Sequence, residues 1–570
     1  MSTTPKEEKL GIMPQLFAGH FDHDLIFPYP KMNSDEAETV AMLLDSFGEL
    51  AKRKIDSVKM DLAHETPLEL VKDLFDLGLM GLSIPEEYGG AGLSMTAYCK
   101  VMEAVGRHDA SLAVTVGGHQ SIGMKAILLF GNEEQKNKYL PQCADGRRIA
   151  AYALTEPEAG SDAGSIKTRA VYNPEKKTFT LNGSKLWITN GAIAGVFTVF
   201  AKEEMGGKDV ITALIVDGES PGLTRGKPEL KMGIRASNTT ELNFENVEVP
   251  EANVLGERGK GFKVALEVLD YGRLSLGAGC AGGIKELMAL SIAHAKQRKQ
   301  FGAPISDLEM IRGKISEMAV DSWVCDSMVY LSTSLVDRGV TDFSIESAIC
   351  KAYCSESLWR DCNHAMQIVG GIGYMAEYPY ERLMRDSRIN MIFEGTNEIQ
   401  RLYITLAGMK RPGDALKAMQ KRGGVGAMVE YGAHTMKMRL VANHLEGAHP
   451  TLAWHVDRLE EATKAFSIAV DKLLVAHGKK VMRMGFLQER VAETAMVLYG
   501  MVSTLSRLDT LLKQRGSDAC AYEADLTKAF YASAWRAIRK QLALLERNGD
   551  KRALRIAEGT IEREGFKVLE

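Results

Sequence analysis

The 570-residue chain has no uninterrupted run of the roughly 18 apolar residues that a membrane-spanning helix needs, so none is expected. Its first residues, Met-Ser-Thr-Thr-Pro-Lys-Glu-Glu-Lys-Leu, lack the apolar core of a secretory leader and the Arg-rich, acid-poor character of a transit peptide. An interior compartment is expected: a bacterial cytoplasm with a peripheral position on the inner membrane, or a mitochondrial matrix and inner membrane. Charge of one sign is not in excess, since the net charge is −4, which argues against nucleic acid as a partner. The eight cysteines (99, 143, 280, 325, 350, 354, 362 and 520) are scattered. The close pair, Cys350 and Cys354, falls on one turn of a predicted helix without His partners, so reduced structural thiols are expected, with no disulfide framework and no metal. Repeat signatures and low-complexity tracts are missing as well. What remains, 45% hydrophobic and 25% charged residues, is the balance of an ordinary soluble protein, and the length exceeds what one core usually serves.

The period of the apolar residues divides the chain. Residues 1–148 form an N-terminal segment and a helical domain; in Glu65–Gly78, Pro67 marks a helix start and Gly78 its end. Over residues 149–257 the period becomes two, in Lys177–Leu181 before Asn182-Gly183, then in Val196–Ala201, Val210–Val216 and Glu241–Phe244. An antiparallel β domain is expected there. Residues 258–409 return to a 3.6-residue period and read as a helical bundle. A linker at 410–450 carries Lys410, Arg411, Lys417, Lys421, Arg422, Gly423, Gly424 and Gly426, interleaved with Val425, Met428, Val429, Met436, Met438 and Leu440. That pattern fits an interfacial amphipathic helix touching a membrane and equally a solvated face over an ordinary core. Residues 451–570 read as an additional helical domain. The fold class is mostly α with a central antiparallel β domain.

Met391-Ile-Phe-Glu-Gly-Thr-Asn-Glu-Ile-Gln-Arg401 is the most informative segment. It sets one carboxylate, Glu394, in an apolar run, where burial raises proton affinity, and follows it with Gly395, which lets a substrate or ring approach the backbone. A catalytic base suits that setting. A Glu beside Gly at the mouth of a helix is also the pattern of an N-terminal capping residue.

Further segments accompany it: Tyr152-Ala-Leu-Thr-Glu-Pro-Glu-Ala-Gly-Ser-Asp162, Leu186-Trp-Ile-Thr-Asn190, Gln297-Arg-Lys-Gln-Phe-Gly302 and Gln367-Ile-Val-Gly-Gly-Ile-Gly373. With Phe393-Glu-Gly-Thr396, they resemble, in order, the signature segments of the acyl-CoA dehydrogenase family. Phe27-Pro-Tyr-Pro30, Gly118-His-Gln-Ser-Ile-Gly123, Lys231-Met-Gly-Ile-Arg-Ala-Ser-Asn238 and the long C-terminal extension resemble its very-long-chain branch. The resemblance implies the acyl-CoA dehydrogenase fold plus a C-terminal helical extension, FAD as cofactor, an acyl-CoA substrate, an electron-transfer flavoprotein as electron acceptor, and a homodimer. It implies dehydrogenation of long or very long acyl-CoA to trans-2-enoyl-CoA in fatty acid β-oxidation. An acyl-CoA oxidase and a respiratory-complex assembly factor are the alternatives.

Residue by residue, the resemblance makes Glu394 the base, with its backbone N–H and a flavin ribityl hydroxyl polarising the thioester carbonyl. Tyr152, Leu154 and Thr155, with Trp187, Ile188 and Thr189, contact the isoalloxazine; a strand Trp is otherwise usually core. Gly160 and Ser161 permit close approach, and Ser161 also touches the coenzyme A portion. Arg298 grips the pyrophosphate, Gln300 and Phe301 lie beside it, and Gln367, Val369, Gly370 and Gly371 hold the adenosine end from the neighbouring subunit. Thr396 and Asn397 add contacts near a helix N-terminus.

Isovaleryl-type members of the family carry their base just before the Arg of an Asp-x-x-Arg segment, where Asp270-Tyr-Gly-Arg273 has Gly272. Glu394 is therefore the expected base, with Asp270, Arg273 and Gly395 around the substrate; an i, i+3 surface pair is the other reading of Asp270 and Arg273. Medium-chain relatives close the acyl tunnel with polar side chains where Val114-Thr-Val-Gly-Gly118 stands. Gly117 and Gly118 there imply a longer apolar channel, each further buried methylene contributing about 0.8 kcal/mol, or simply close helix packing.

Overall fold

The computed structural model describes residues 9–422 and 444–565. Contacts divide the chain into two compact units, one from residue 9 and residues 29–399, the other from Leu10–Pro28 with residues 400 onward.

In the first unit several helices begin where the sequence supplies acceptors for their orphan N–H groups. Asn33 caps Ser34–Lys54 by accepting from Glu36 N at 2.8 Å, Ser94 caps Met95–His108, and Asn132 with Gln135 forms a capping box on Glu133–Ala144. Pro67 opens the Leu68–Asp76 helix and Gly78, at φ 74°, closes that turn of chain. The Gly118-His-Gln-Ser-Ile-Gly123 segment winds as a π-helical turn. Its His119 is fully buried, accepting from Ala150 N through Nδ1 at 2.9 Å and donating from Nε2 to Cys143 O at 3.2 Å. Burial holds this ring neutral, down to about 4, and so it fastens the helical domain to the first strand.

The β domain is one seven-stranded sheet: β1 (Ile149–Ala153), β2 (Arg169–Asn173), β3 (Thr178–Thr189), β4 (Ala194–Met205), β5 (Lys208–Asp217), β6 (Leu223–Arg225) and β7 (Thr239–Pro250). The order is β1-β4-β2-β3-β7-β6, with β5 also on β4. It is mixed, correcting the expectation of an antiparallel domain, because β1 and β2 pair with β4 in parallel. All five β1 residues are buried, as a strand covered on both faces must be, so it carries no alternation. Asn182-Gly183 also departs from the turn that its sequence suggests. β3 runs straight through it, with a register shift against β7 between Leu181 and Gly183, and Asn182 and Asn246 exchange side-chain and backbone hydrogen bonds.

After the sheet, Gly261–Gln297 packs with Met95–His108, Glu309–Asp337 and Ser344–Val369 in a bundle. By length and composition Gly261–Gln297 could cross a membrane, its best window reaching a mean hydropathy of 1.2, although no unbroken apolar run marks it in the sequence. Here it is a core helix, burying Val264, Val268, Leu274, Ile284 and Leu287.

In the second unit, helices Ala453–His477, Gly485–Arg515 and Ala521–Glu546 pack together, the first two also meet the early chain, and Asp550–Glu562 follows with no buried residue. Phe17 meets Phe466 edge-on at 4.8 Å, and Ser506 donates to Ile26 O. Residues 10–28 thus belong with the C-terminal helices although they precede the first domain in sequence. Lys410, Arg411 and Lys417 lie on the helix Asn397–Arg422, whereas Gly423, Gly424, Val425, Gly426, Met428, Val429, Met436, Met438 and Leu440 fall outside the described residues. All eight cysteines are buried free thiols.

Candidate active site

Glu394 sits on a turn between Ile389–Met391 and the helix that starts at Asn397. The chain turns there through two successive left-handed residues, Glu394 at φ 56° and Gly395 at φ 86°. A non-glycine residue in that region is strained, and Gly395 is the residue that adopts it without a steric cost. The turn aims the carboxyl at the backbone of Gly272. A Cβ added at 272 would stand 2.9 and 3.0 Å from the two carboxyl oxygens and 2.8 Å from Ile122 Cγ2. The missing side chain at Gly272 therefore makes the space that the carboxyl occupies.

Burial pushes the Glu394 carboxyl up to about 7, against the opposing pull of Arg273 and Lys351. Arg273 donates to Asp270 Oδ1 at 2.7 Å, both side chains being buried, so the pair is an internal one and not the surface pair that its spacing allows. Burial raises Asp270 to about 7 in spite of Arg273. Lys351 is fully buried and donates to Gly395 O and to Asn397 Oδ1, each at 2.8 Å. Asn397 in turn donates to Ser355 Oγ at 3.1 Å and Glu356 Oε1 at 3.0 Å, and Thr396 Oγ1 accepts from Ile399 N at 3.3 Å. The Asn397 side chain and the Thr396 hydroxyl thus fasten the turn and cap the helix.

A second group gathers around β1 and β3. Tyr152 is buried, its hydroxyl donating to Ala265 O at 3.1 Å and its ring lying 4.9 Å from Phe200. Burial raises this hydroxyl, and Arg273 and Glu394 both act on it, so it lies within electrostatic reach of the carboxyl. Thr155 O accepts from Leu186 N at 2.8 Å, joining the loop after β1 to β3. Beneath it Lys185, fully buried, donates to Leu154 O at 3.1 Å and Glu156 Oε1 at 2.7 Å, while Glu156 also accepts from the backbone of Lys167 and Thr168. Glu156 is held below the usual carboxylate range by Lys185, although burial opposes it. Trp187 is 60% exposed at φ 58°, where the β3–β7 ladder breaks between Lys185 and Ile188, so it is not the core residue that a strand Trp usually is. Ile188 is buried and Thr189 half-buried. Gly160 and Ser161 are exposed, with open space over Gly160.

Most of the remaining residues expected to hold FAD lie on the surface. Arg298 ends the Gly261–Gln297 helix, and the short hairpin of β8 (Lys299–Gln300) and β9 (Ala303–Pro304) carries Gln300 and, at φ 52° and 94% exposed, Phe301. Gln367, Gly370 and Gly371 are exposed and Val369 is buried. Gly117 and Gly118 part company. A Cβ on Gly117 would meet only ordinary contacts, Ser121 Oγ and Ser275 Oγ at 3.7 Å and Met102 Cε at 3.8 Å, whereas one on Gly118 would strike Thr189 Cγ2 at 2.7 Å. Gly118 therefore serves close packing against β3, which corrects its reading as tunnel space. Close to Gly117, Tyr98 and Ser275 share a hydrogen bond of 3.0 Å.

Two residues of the site escaped the sequence, Lys351 and Lys185. Each had a signal: Lys351 interrupts the small and apolar run Ser347-Ala-Ile-Cys-Lys-Ala-Tyr-Cys354, and Lys185 stands in a strand beside Leu186.

Acyl-CoA dehydrogenase N-terminal, middle and C-terminal domains match residues 37–147, 151–247 and 259–408. The chain belongs to the acyl-CoA dehydrogenase family. Residues 450–566 match the ACAD9/ACADV C-terminal domain. The very long-chain specific acyl-CoA dehydrogenase of Mus musculus mitochondria is 40% identical over 547 residues, 93% of this chain and 83% of that protein. An acyl-CoA dehydrogenase complexed with FAD from Bacillus anthracis superposes with a TM-score of 0.83 at 32% identity, over 99% of this chain and 97% of the other. Butyryl-CoA dehydrogenase from Megasphaera elsdenii gives a TM-score of 0.63 at 37% identity, over 66% of this chain and 99% of its own.

FAD is the cofactor of this acyl-CoA dehydrogenase, and the residues suit it. An exposed indole held in a strained backbone conformation, open space over Gly160 and over Gly370 and Gly371, and an exposed Arg298 supply a flat apolar wall, close approach and a phosphate partner.

Proposed function

We propose that this acyl-CoA dehydrogenase converts long- and very-long-chain acyl-CoA to trans-2-enoyl-CoA, with Glu394 taking the α-proton and an electron-transfer flavoprotein taking the electrons. When bound, FAD supplies the acceptor for the β-hydride that no side chain can provide. Trp187, Thr155, Gly160 and Ser161 would hold its ring system, and Arg298, Gln300, Phe301, Gln367, Gly370 and Gly371 its pyrophosphate and adenosine. The surface position of the last six supports the homodimer, in which one chain completes the cofactor site of the other.

The observation that carries the base is the seat of Glu394 against Gly272. A carboxyl poised at about 7 can accept a proton near neutral pH and give it up again, which a solvated carboxylate does poorly. The backbone N–H of Glu394 is assigned the thioester carbonyl, where it would stabilise the enolate as the proton leaves. An acyl chain filling the site would exclude water and strengthen both effects.

Chain length rests on the absence of a side chain at Gly117, where a Cβ would meet Ser121, Ser275 and Met102 at 3.7–3.8 Å without a clash and a longer polar side chain would take up further room. The very-long-chain relative from Mus musculus, matched over most of both chains, supports it. A bacterial cytoplasm with peripheral contact at the inner membrane, or a mitochondrial matrix and inner membrane, is the site of action that the bacterial and mitochondrial relatives support. A steady-state profile of purified enzyme from short to very long acyl-CoA, with an artificial electron acceptor, tests the assignment. The maximum is expected at long or very long chains, and a maximum at short chains would overturn it.

A further inference from the structure

We propose that Lys351 is a positioning residue for the base: its ammonium clamps the turn that carries Glu394 and its charge favours the carboxylate. This rests on the reading of Glu394 as the base. Lys351 reaches from the Ser344–Val369 helix with two hydrogen bonds of 2.8 Å, one to Gly395 O and one to Asn397 Oδ1. Both acceptors lie within three residues after Glu394, and both are neutral oxygens. A buried lysine normally takes a carboxylate as its direct partner, as Lys185 takes Glu156 at 2.7 Å. Lys351 instead spends these donors on the backbone and on an amide, and the largest charge acting on it is that of Glu394.

The geometry does two things at once. Left-handed conformations at both Glu394 and Gly395 need an outside tether, and the Gly395 carbonyl is the group Lys351 holds. The same ammonium opposes the burial that disfavours ionised Glu394. The other groups acting on Glu394 and Lys351 come from each packed element: Arg273 and Cys280 from Gly261–Gln297, Tyr98 from Met95–His108, Tyr152 from β1, and Glu356 from the helix of Lys351 itself. Among them, Arg273 is the other cation, and it is already bound to Asp270 at 2.7 Å. Burial lowers Lys351 to about 8, so its charge is present through the range in which Glu394 titrates.

Activity needs Glu394 as carboxylate, so kcat/KM rises with pH through the value of the base in the free enzyme. Removing the neighbouring cation raises that value, and the acid limb of the profile moves to higher pH. For Lys351→Met a shift of about one pH unit is expected, which is about tenfold slower turnover near pH 6. The deficit should fade at alkaline pH, where Glu394 is ionised in both proteins and Lys351 is losing its own proton. Lys351→Arg keeps the charge and should return the limb to its wild-type position.

Loss of α-deuterium from labelled long-chain acyl-CoA into water is followed over the same pH range, because it reports proton abstraction without the electron acceptor. FAD content and thermal melting are measured on the same preparations. An unmoved acid limb in Lys351→Met, or a loss of rate that is constant with pH and tracks FAD content, overturns the proposal. Should Lys351→Met fail to fold, Lys351→Gln, neutral but still able to donate to Gly395 O, is read by the same limb. Glu394→Gln separates the two claims: retained turnover there would refute the base itself, whereas an inactive Glu394→Gln beside an unmoved Lys351→Met limb would refute the Lys351 assignment alone.

Discussion

The two sides of the site are built in opposite ways. Around Glu394 the side chains of Asp270, Arg273, Lys351 and Asn397 are buried and each is tied to another group: Arg273 to Asp270, Lys351 to Gly395 and Asn397, Asn397 to Ser355 and Glu356. Around Trp187 the indole is exposed, the strand ladder is broken, and the loop at Gly160 and Ser161 is open, although Lys185 and Glu156 fix the floor beneath. The contrast separates two physical needs. A group that must exchange a proton near neutrality needs low dielectric and fixed charges, and so it is closed. A surface that must receive a large planar cofactor has to leave its contacts unmade until that partner arrives, and so it is open.

The division is tested hardest at the base. Glu394→Gln should lower turnover by roughly two to four orders of magnitude, the usual contribution of a general base, while flavin absorbance of the purified protein stays at the wild-type level. A variant that lost FAD along with turnover would erase the distinction between the two sides. Next in size is the floor of the open side. Lys185→Met leaves Glu156 buried without its cation, a defect of about 3–5 kcal/mol, read as a lower urea midpoint. An unchanged midpoint would mean that the loop after β1 is held by its backbone bonds alone.

The sequence was most readable where one residue does one job. Pro67 and Gly78 bound a helix, Asn132 begins another, and Glu394 before Gly395 marks a turn carrying a carboxylate. It was least readable where the outcome depends on which strand lies alongside. β1 has no alternation because it is covered on both faces, and nothing in Ile149–Ala153 says that its neighbour β4 runs parallel. Asn182-Gly183 has turn chemistry yet sits inside a strand, since pairing with β7 outweighs local preference. Gly117 and Gly118 are adjacent and identical, and only the packing of Thr189 on one of them separates ordinary contact from a clash. Lys351 and Lys185 were hidden for the same reason: a lysine reads as surface until its partners, 44 and 29 positions away in sequence, are brought to it.

The smallest effect is expected from Trp187, and it sharpens the comparison most. At 60% exposure the indole contributes little to packing within the chain, and alanine inherits the same positive φ, so thermal stability should change by no more than about 0.5 kcal/mol. Stacking of an aromatic side chain on the cofactor ring is worth about 0.5–1.5 kcal/mol, so without it the dissociation constant for FAD should rise by roughly tenfold at most. With FAD added to saturation, the acid limb of the pH profile should stay where the wild type has it, because Arg273, Lys351 and the burial of Glu394 are untouched. Titration of apoprotein with FAD, followed by quenching of flavin fluorescence, measures the first quantity, and a kcat/KM profile in saturating FAD measures the second. If Trp187→Ala moved the acid limb as far as Lys351→Met, the open side would be setting the proton affinity of the base, and the two sides could no longer be treated as separate.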